Sequence, residues 1–176
     1  MVEATTKAKT ETTTEGKIKA KKINLIVFSG EMDKVLAALN IAIGGASMGM
    51  DVTMFFTFWG LNVIKKNEGS IKSKGIMRKM LNLMNRGGSK RLPLSKLNML
   101  GLGPWMMGKM MKDVNFPSVE ELMKMARDMG VKFITCTTTV GMMGITPEAI
   151  VPESNEWAGV STFLANTDDG SVNLFI

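Results

Sequence analysis

Hydrophobic and polar positions alternate between two regimes along this 176-residue chain. Ile23 to Phe28 is apolar except at Asn24, the continuous run expected of a strand buried on both faces of a parallel sheet. Ser29-Gly30 ends that run. From Glu31 to Met48 the spacing turns helical, with Val35, Leu36, Leu39 and Ile43 on one face, acidic residues in the first turn and Gly49 as the stop. Asp51 to Thr57 predicts a second buried strand, with Met54, Phe55, Phe56 and Phe58 as core residues and Trp59-Gly60 closing it. Ser118 and Glu121 form a capping box that opens a helix running to about Met129, where Gly130 stops it. Val131 to Thr135 is a β-branched and aromatic strand, followed by Thr-Thr-Thr-Val-Gly as a turn into a helix. Thr146-Pro147 predicts a short helix start, with Thr146 as the cap. Ser154 to Asn166 predicts a last helix, and Ser171 to Ile176 a last strand. Strand and helix in alternation predict an α/β sheet with right-handed crossovers.

Two stretches stand outside this rhythm. Residues 1 to 17 are Thr, Lys, Glu and Ala without periodicity, too polar to offset their ordering entropy by burial, and predict a mobile tail ahead of a single domain from residue 18. Residues 67 to 117 interleave Lys72, Lys74, Arg78, Lys79, Arg86, Lys90, Arg91 and Lys96 with Met and Leu, punctuated by Gly87-Gly88 and Gly101-Leu102-Gly103-Pro104. Methionine is flexible and polarisable, so this insert suits either an irregular packed subdomain or an adaptable surface: a lid, a carrier docking site or a membrane-touching patch. Of these, packing of the methionines on the sheet or on another subunit is the simpler expectation.

Composition narrows the class. Hydrophobic residues make up 45% and charged residues 22%, as in a globular protein. The net charge of +6 lies in local clusters with few stacking aromatics and no nucleic-acid motif, which argues against a nucleic-acid partner. Val35 to Met50 is too short for a spanning helix and contains Asn40 and Gly44-Gly45, so a transmembrane span is not expected and membrane contact stays a minor alternative for the insert. A polar beginning and a lone cysteine predict a reducing cytoplasm.

That cysteine, Cys136, falls where the predicted strand meets the predicted helix. In open parallel sheets ligands bind outside the carboxyl ends of the strands, and helix N–H groups there stabilise a thiolate. Backbone N–H groups of Thr137, Thr138 and Thr139 are the expected donors. A lone cysteine also packs well as a small buried hydrophobe, and that alternative stands beside the reactive one. The chain has no histidine and no CxxC, which removes Cys-His acyl transfer, an internal dithiol couple and most zinc sites. No Arg lies within six residues after Cys136, so an anion loop of phosphatase or rhodanese type is absent, as is the Thr-x-x-Cys loop of peroxiredoxins. A cysteine without base or resolving thiol can still carry a sulfur atom as a persulfide or mixed disulfide. Ser29-Gly30 supplies a second candidate wall, a helix N-terminus able to hold an anion, and Trp59 a candidate cap over the thiol. No metal and no cofactor is expected.

Cys136 with Met142-Met143-Gly144-Ile145, then Trp157-Ala158-Gly159-Val160, Phe163-Leu164-Ala165 and Leu174-Phe175-Ile176, resembles the DsrE/DsrF-like family. Phe55-Phe56-Thr57-Phe58-Trp59-Gly60-Leu61 and the Val119 helix extend the resemblance from Lys22 to the end, closest to longer members with a Met-rich insert. The resemblance implies a three-layer α/β/α fold with a mainly parallel sheet of about five strands. It also implies a homo-oligomer and a cysteine, here Cys136, that accepts and passes on sulfur with carrier or rhodanese-like partners. Met143 and Gly144 join the candidate site on the same basis. Thr137-Thr138-Thr139 departs from the Met and Ser of many relatives. The alternative is a binding or assembly subunit that docks a partner through residues 67 to 117, with Cys136 merely packed.

Overall fold

The computed structural model describes residues 22–66, 75–85, 87–154, 156–167 and 170–176. The tail expected over residues 1 to 17 lies outside them, as do Lys72, Lys74 and Arg86 of the insert. Five strands form one all-parallel sheet: β1 (Lys22–Val27), β2 (Asp51–Phe56), β3 (Lys132–Cys136), β4 (Glu156–Ala158) and β5 (Val172–Phe175), in the spatial order β4-β3-β2-β1-β5. The helices are α1 (Met32–Ser47), α2 (Leu61–Ile64), α3 (Ile76–Met84), α4 (Leu102–Asp113), α5 (Val119–Asp128), α6 (Thr137–Met143) and α7 (Val160–Ala165).

The order of strands decides which face each helix covers. Steps from β1 to β2 to β3 move one way across the sheet, so right-handed crossovers place α1 and α5 together on one face. The return from β4 to β5 moves the other way and puts α7 on the opposite face. Strand side chains alternate accordingly. Leu25, Val27, Val52, Met54, Phe56 and Phe133 point to the α1 and α5 side and form the main core, where Phe56 and Phe133 meet edge to face at 5.3 Å. Ile134 and Cys136 point the other way and meet Phe55 and Phe163. Phe55 and Phe163 stack at 4.6 Å, which anchors α7 to the sheet.

Most predicted boundaries agree with the structure to within a residue or two. Ser118 accepts from the Glu121 N–H while the Glu121 carboxylate accepts from the Ser118 N–H, the complete capping box. Gly49 and Gly130 adopt left-handed φ of 76° and 86° after their helices. Four expectations need correction. Phe58 is not a core residue: it lies past the end of β2 with a left-handed φ of 47° and is exposed. Ser154 to Asn166 is not one helix: Glu156–Ala158 pairs with Ile134–Cys136 as an edge strand, and the helix begins at Val160 after an extended Gly159. A sheet edge with free N–H and C=O groups outweighs the weak helical preference of three residues. Thr146 does stand at the N-cap with Pro147 opening the turn, but its side chain makes no cap hydrogen bond and the helix is a single 3-10 turn, Pro147–Ala149. Within Ile76–Met84 the insert does not pack its methionines inward, since the buried residue there is Asn82, whereas Met107 of α4 does pack, half-buried, against the main core.

Phe133 is fully buried on the α5 side against Phe56, so truncating it leaves a cavity in the main core. Phe133→Ala should lower unfolding stability by about 3–5 kcal/mol in urea titration, with the slope of the transition unchanged.

Candidate functional site

Cys136 is both the last residue of β3 and the N-cap of α6. Its sulfur is almost wholly buried, 1% exposed, among Phe55, Ile134, Phe163, Ile26 and Ala158. The Thr139 hydroxyl donates to it at 3.4 Å, and Thr57 Oγ1 lies 2.9 Å from Thr139 Oγ1. Because the Thr139 hydroxyl has one proton and gives it to sulfur, the proton between the two threonines comes from Thr57. Burial pushes the Cys136 thiol up. Donation from the Thr139 side chain and N–H and from the Thr138 N–H, with the Thr57 hydroxyl adding its dipole through Thr139, outweighs that effect and holds its pKa below the ordinary thiol range.

This polar shell rests on strand register. Phe56 pairs with Thr135, so Thr57 and Cys136 come to neighbouring strand ends although they lie far apart in sequence. Thr57 was legible as the end of β2, but its pairing with Thr139 depends on that register. Thr137 and Thr138 are exposed, whereas Thr139 is buried, so the sulfur lies one turn below the surface.

The other expected residues gather elsewhere. Ser29, Gly30 and Trp59 line a cavity of about 600 Å³ at the end of β1, together with Asn62, Asn85 and Arg91; Cys136 is not part of that lining. A Cβ on Gly30 would stand 2.5 Å from the Trp59 carbonyl oxygen, so what approaches this glycine closely is the chain itself. Ser29 donates to Glu31, which also pairs with Lys34. Trp59 belongs to that cavity, and the ring stacked over the cysteine cluster is Phe163. Met143 is buried in the main core on the opposite side of the sheet from the sulfur, and Gly144 ends α6 with a left-handed φ of 66°. Both stand at the far end of α6 from Cys136, where they pack and terminate.

Lys65 escaped the sequence reading. It is 2% exposed and donates to Asn82 Oδ1 at 3.1 Å and to the Asn85 carbonyl at 3.0 Å. Burial lowers its pKa. A Lys-Lys pair after an apolar turn reads as solvated, and nothing local marks the first lysine as the inward one. Among the described residues no group of three or more His, Cys, Asp or Glu side chains is placed to hold a metal ion.

A profile of the DsrE/DsrF/DrsH-like family matches residues 19–175. The chain belongs to this family. Two relatives give the membership more detail. The uncharacterized protein YrkE of Bacillus subtilis is 39% identical over 156 residues, 89% of this chain and 97% of its own. The sulfur carrier protein DsrE2 of Allochromatium vinosum is 29% identical over 163 residues, 89% of this chain and 98% of its own. Family membership accounts for the five-stranded parallel sheet and supports sulfur relay at the level of the family.

Since hydrogen bonds favour the ionised sulfur, its alkylation rate should reach half-maximum at a pH below the roughly 8.5 of a free thiol. Thr139→Val should move that midpoint upward, as followed by the pH dependence of iodoacetamide labelling. The matching contribution to stability runs with the thiolate: it is present above the unfolded thiol's pKa and fades as pH falls through the lower folded value. An unchanged midpoint in Thr139→Val would remove the hydroxyl from this role.

Proposed function

We propose that this chain is a sulfur carrier that holds sulfane sulfur on Cys136 and delivers it to a partner thiol. The observation that carries this reading is a lone thiol whose ionised form is favoured by hydroxyl and amide donors, in a chain similar to a named sulfur carrier. The Cys136 thiolate attacks the outer sulfur of a persulfide or polysulfide, the S–S bond of the donor breaks, and the donor leaves as a thiolate. With tetrathionate the same attack on a central sulfur leaves a thiosulfonate on Cys136 and releases thiosulfate. Either adduct is discharged when a thiolate of a second protein, a carrier or a rhodanese-like protein, attacks the sulfane sulfur bonded to Cys136, whose S–S bond breaks and returns the Cys136 thiolate. Each transfer is redox-neutral, so neither cofactor nor resolving cysteine is required.

Access sets the second condition. The sulfur lies under Phe163 of the six-residue α7 and beside the three-residue edge strand β4. Short edge elements with few buried neighbours open at low free-energy cost. Exposed Thr137 and Thr138, rather than the separate cavity around Ser29, Gly30 and Trp59, form the surface a donor would meet first. The rest of the α7 face, including the largely exposed Phe175, is where a second copy in a homo-oligomer would sit. A reducing cytoplasm suits a lone thiol kept ready for loading.

Burial also favours a second reading, in which Cys136 is packing and the chain serves as a binding or assembly subunit. Intact mass after incubation with polysulfide or tetrathionate separates the two. The carrier gains reductant-sensitive mass on Cys136 in the folded protein, and Cys136→Ser gains none. Loading should quicken in Phe163→Ala, which opens the cover. A thiol that reacts only after denaturation, in wild type and in Phe163→Ala alike, would leave the binding subunit.

A further inference from the structure

The insert is amphipathic in the wrong sense for a packed helix. In α3 the residues Ile76, Met77, Met80, Leu83 and Met84 share one arc of the helix and all face solvent, Ile76 at 86% exposure. Asn82 on the opposite side is buried, held by Lys65 and by donation to the Met143 carbonyl. A polar anchor inside and an apolar stripe outside is the reverse of a core-facing helix. Next in sequence, Leu97, Met99 and Leu100 hold left-handed φ of 57°, 42° and 55°, a conformation that costs energy for such side chains, and Leu100 projects wholly into solvent at 106%. Trp105, Met106 and Met110 continue the exposed apolar surface along α4.

Charge gathers on the same segment. Residues 76 to 113 contain eight Lys and Arg and one acidic residue, Asp113, whereas the remainder of the chain has fourteen basic and fifteen acidic residues. The chain's whole positive excess therefore belongs to this segment. Among its described residues, Lys90 is ion-paired, with Glu120, while Lys79, Lys96, Lys109 and Lys112 are not. Two copies meeting through this surface would bring like charges together, which disfavours self-pairing. The apolar part is a run of exposed side chains, Leu97, Met99, Leu100 and Trp105, interspersed in sequence with Lys96, Lys109 and Lys112, a composition suited to an apolar phase bounded by anionic headgroups. A groove of about 1280 Å³ lined by Leu100, Trp105, Met111, Phe116 and Met125 adjoins this run.

We infer that residues 76–113 dock the protein on an anionic lipid surface, with Leu97, Met99, Leu100 and Trp105 entering the interface and Lys96, Lys109 and Lys112 meeting the headgroups. Contact is peripheral: no described helix is long and apolar enough to cross a membrane. The buried Lys65 acts as the positioning residue that turns the polar side of α3 inward. This docking stands apart from the chemistry of Cys136, which lies on β3 outside the insert.

Flotation of the full chain with vesicles tests it. The protein should float with phosphatidylcholine–phosphatidylglycerol vesicles at low salt, stay behind with phosphatidylcholine alone, and detach at high salt. Reversing three lysines in Lys96→Glu/Lys109→Glu/Lys112→Glu should reduce partitioning by roughly a hundredfold or more, at about 1 kcal/mol for each cation near the surface. Leu97→Ser/Leu100→Ser/Trp105→Ser should release the protein while its circular dichroism stays that of wild type, and Cys136→Ser should float unchanged. The inference is overturned by failure to float with either vesicle, by flotation indifferent to both triple variants, or by sedimentation in which the apolar triple variant disperses an oligomer of this chain. Salt-sensitive capture of an acidic protein with no vesicle binding would likewise overturn it and assign the surface to that protein.

Discussion

Handedness of the crossovers governs what the rest of the molecule can do. With the sheet ordered β4-β3-β2-β1-β5, forward steps load α1 and α5 onto one face, and only the return to β5 places a helix on the other. That helix, α7, has six residues and contributes one buried ring, Phe163. The sheet is thus thickly covered on one side and thinly on the other. Alternation along β3 sends Phe133 and Thr135 to the thick side and Ile134 and Cys136 to the thin one, so a single-residue change of register would bury the sulfur behind α5. Placement of the thiol is therefore a consequence of topology as much as of the residue itself.

The electrostatics at Cys136 differ from those of a thiol beside a cation. The leading contributions that lower its pKa come from two hydroxyls and two backbone amides, against the opposing effect of burial. Dipoles fixed by strand ends and by the first turn of α6 need little reorganisation when charge appears on sulfur, and in the proposed carrier they would stay in place with a persulfide whose charge lies one atom further out. A cation would hold that charge more tightly and oppose its departure. Weak, oriented donors suit an atom that has to be taken up and given away.

Much of this was legible in the chain because the central strands are continuous apolar runs, α5 opens with a capping box, and α1 and α5 are both followed by a terminal glycine. Cys136 at a strand end followed from the same pattern. Three features were not legible, for physical reasons. The β4 strand exists through its hydrogen bonds to β3, and three residues of Glu156-Trp157-Ala158 carry no period of their own. The Thr57–Thr139 contact links residues whose proximity depends on the register of β2 against β3. Ser29, Gly30 and Trp59 do meet at the end of β1, yet the intervening β2 strand separates β1 from β3, and their cavity does not reach the sulfur.

The insert shows why an apolar stripe alone cannot give the orientation of a helix. Periodicity in α3 marks one apolar side, and burial of that side is the usual inference because most helices rest on a core. Here a buried lysine reverses it. Lys65 ends a turn whose neighbours Val63 and Ile64 are wholly enclosed, so its amine is carried inside and must find acceptors. Asn82 and the Asn85 carbonyl provide them, while Asn62 and Asn85 exchange amide hydrogen bonds beside them. Satisfying that one amine fixes the polar side of α3 against the domain and leaves the methionines nowhere to go but outward.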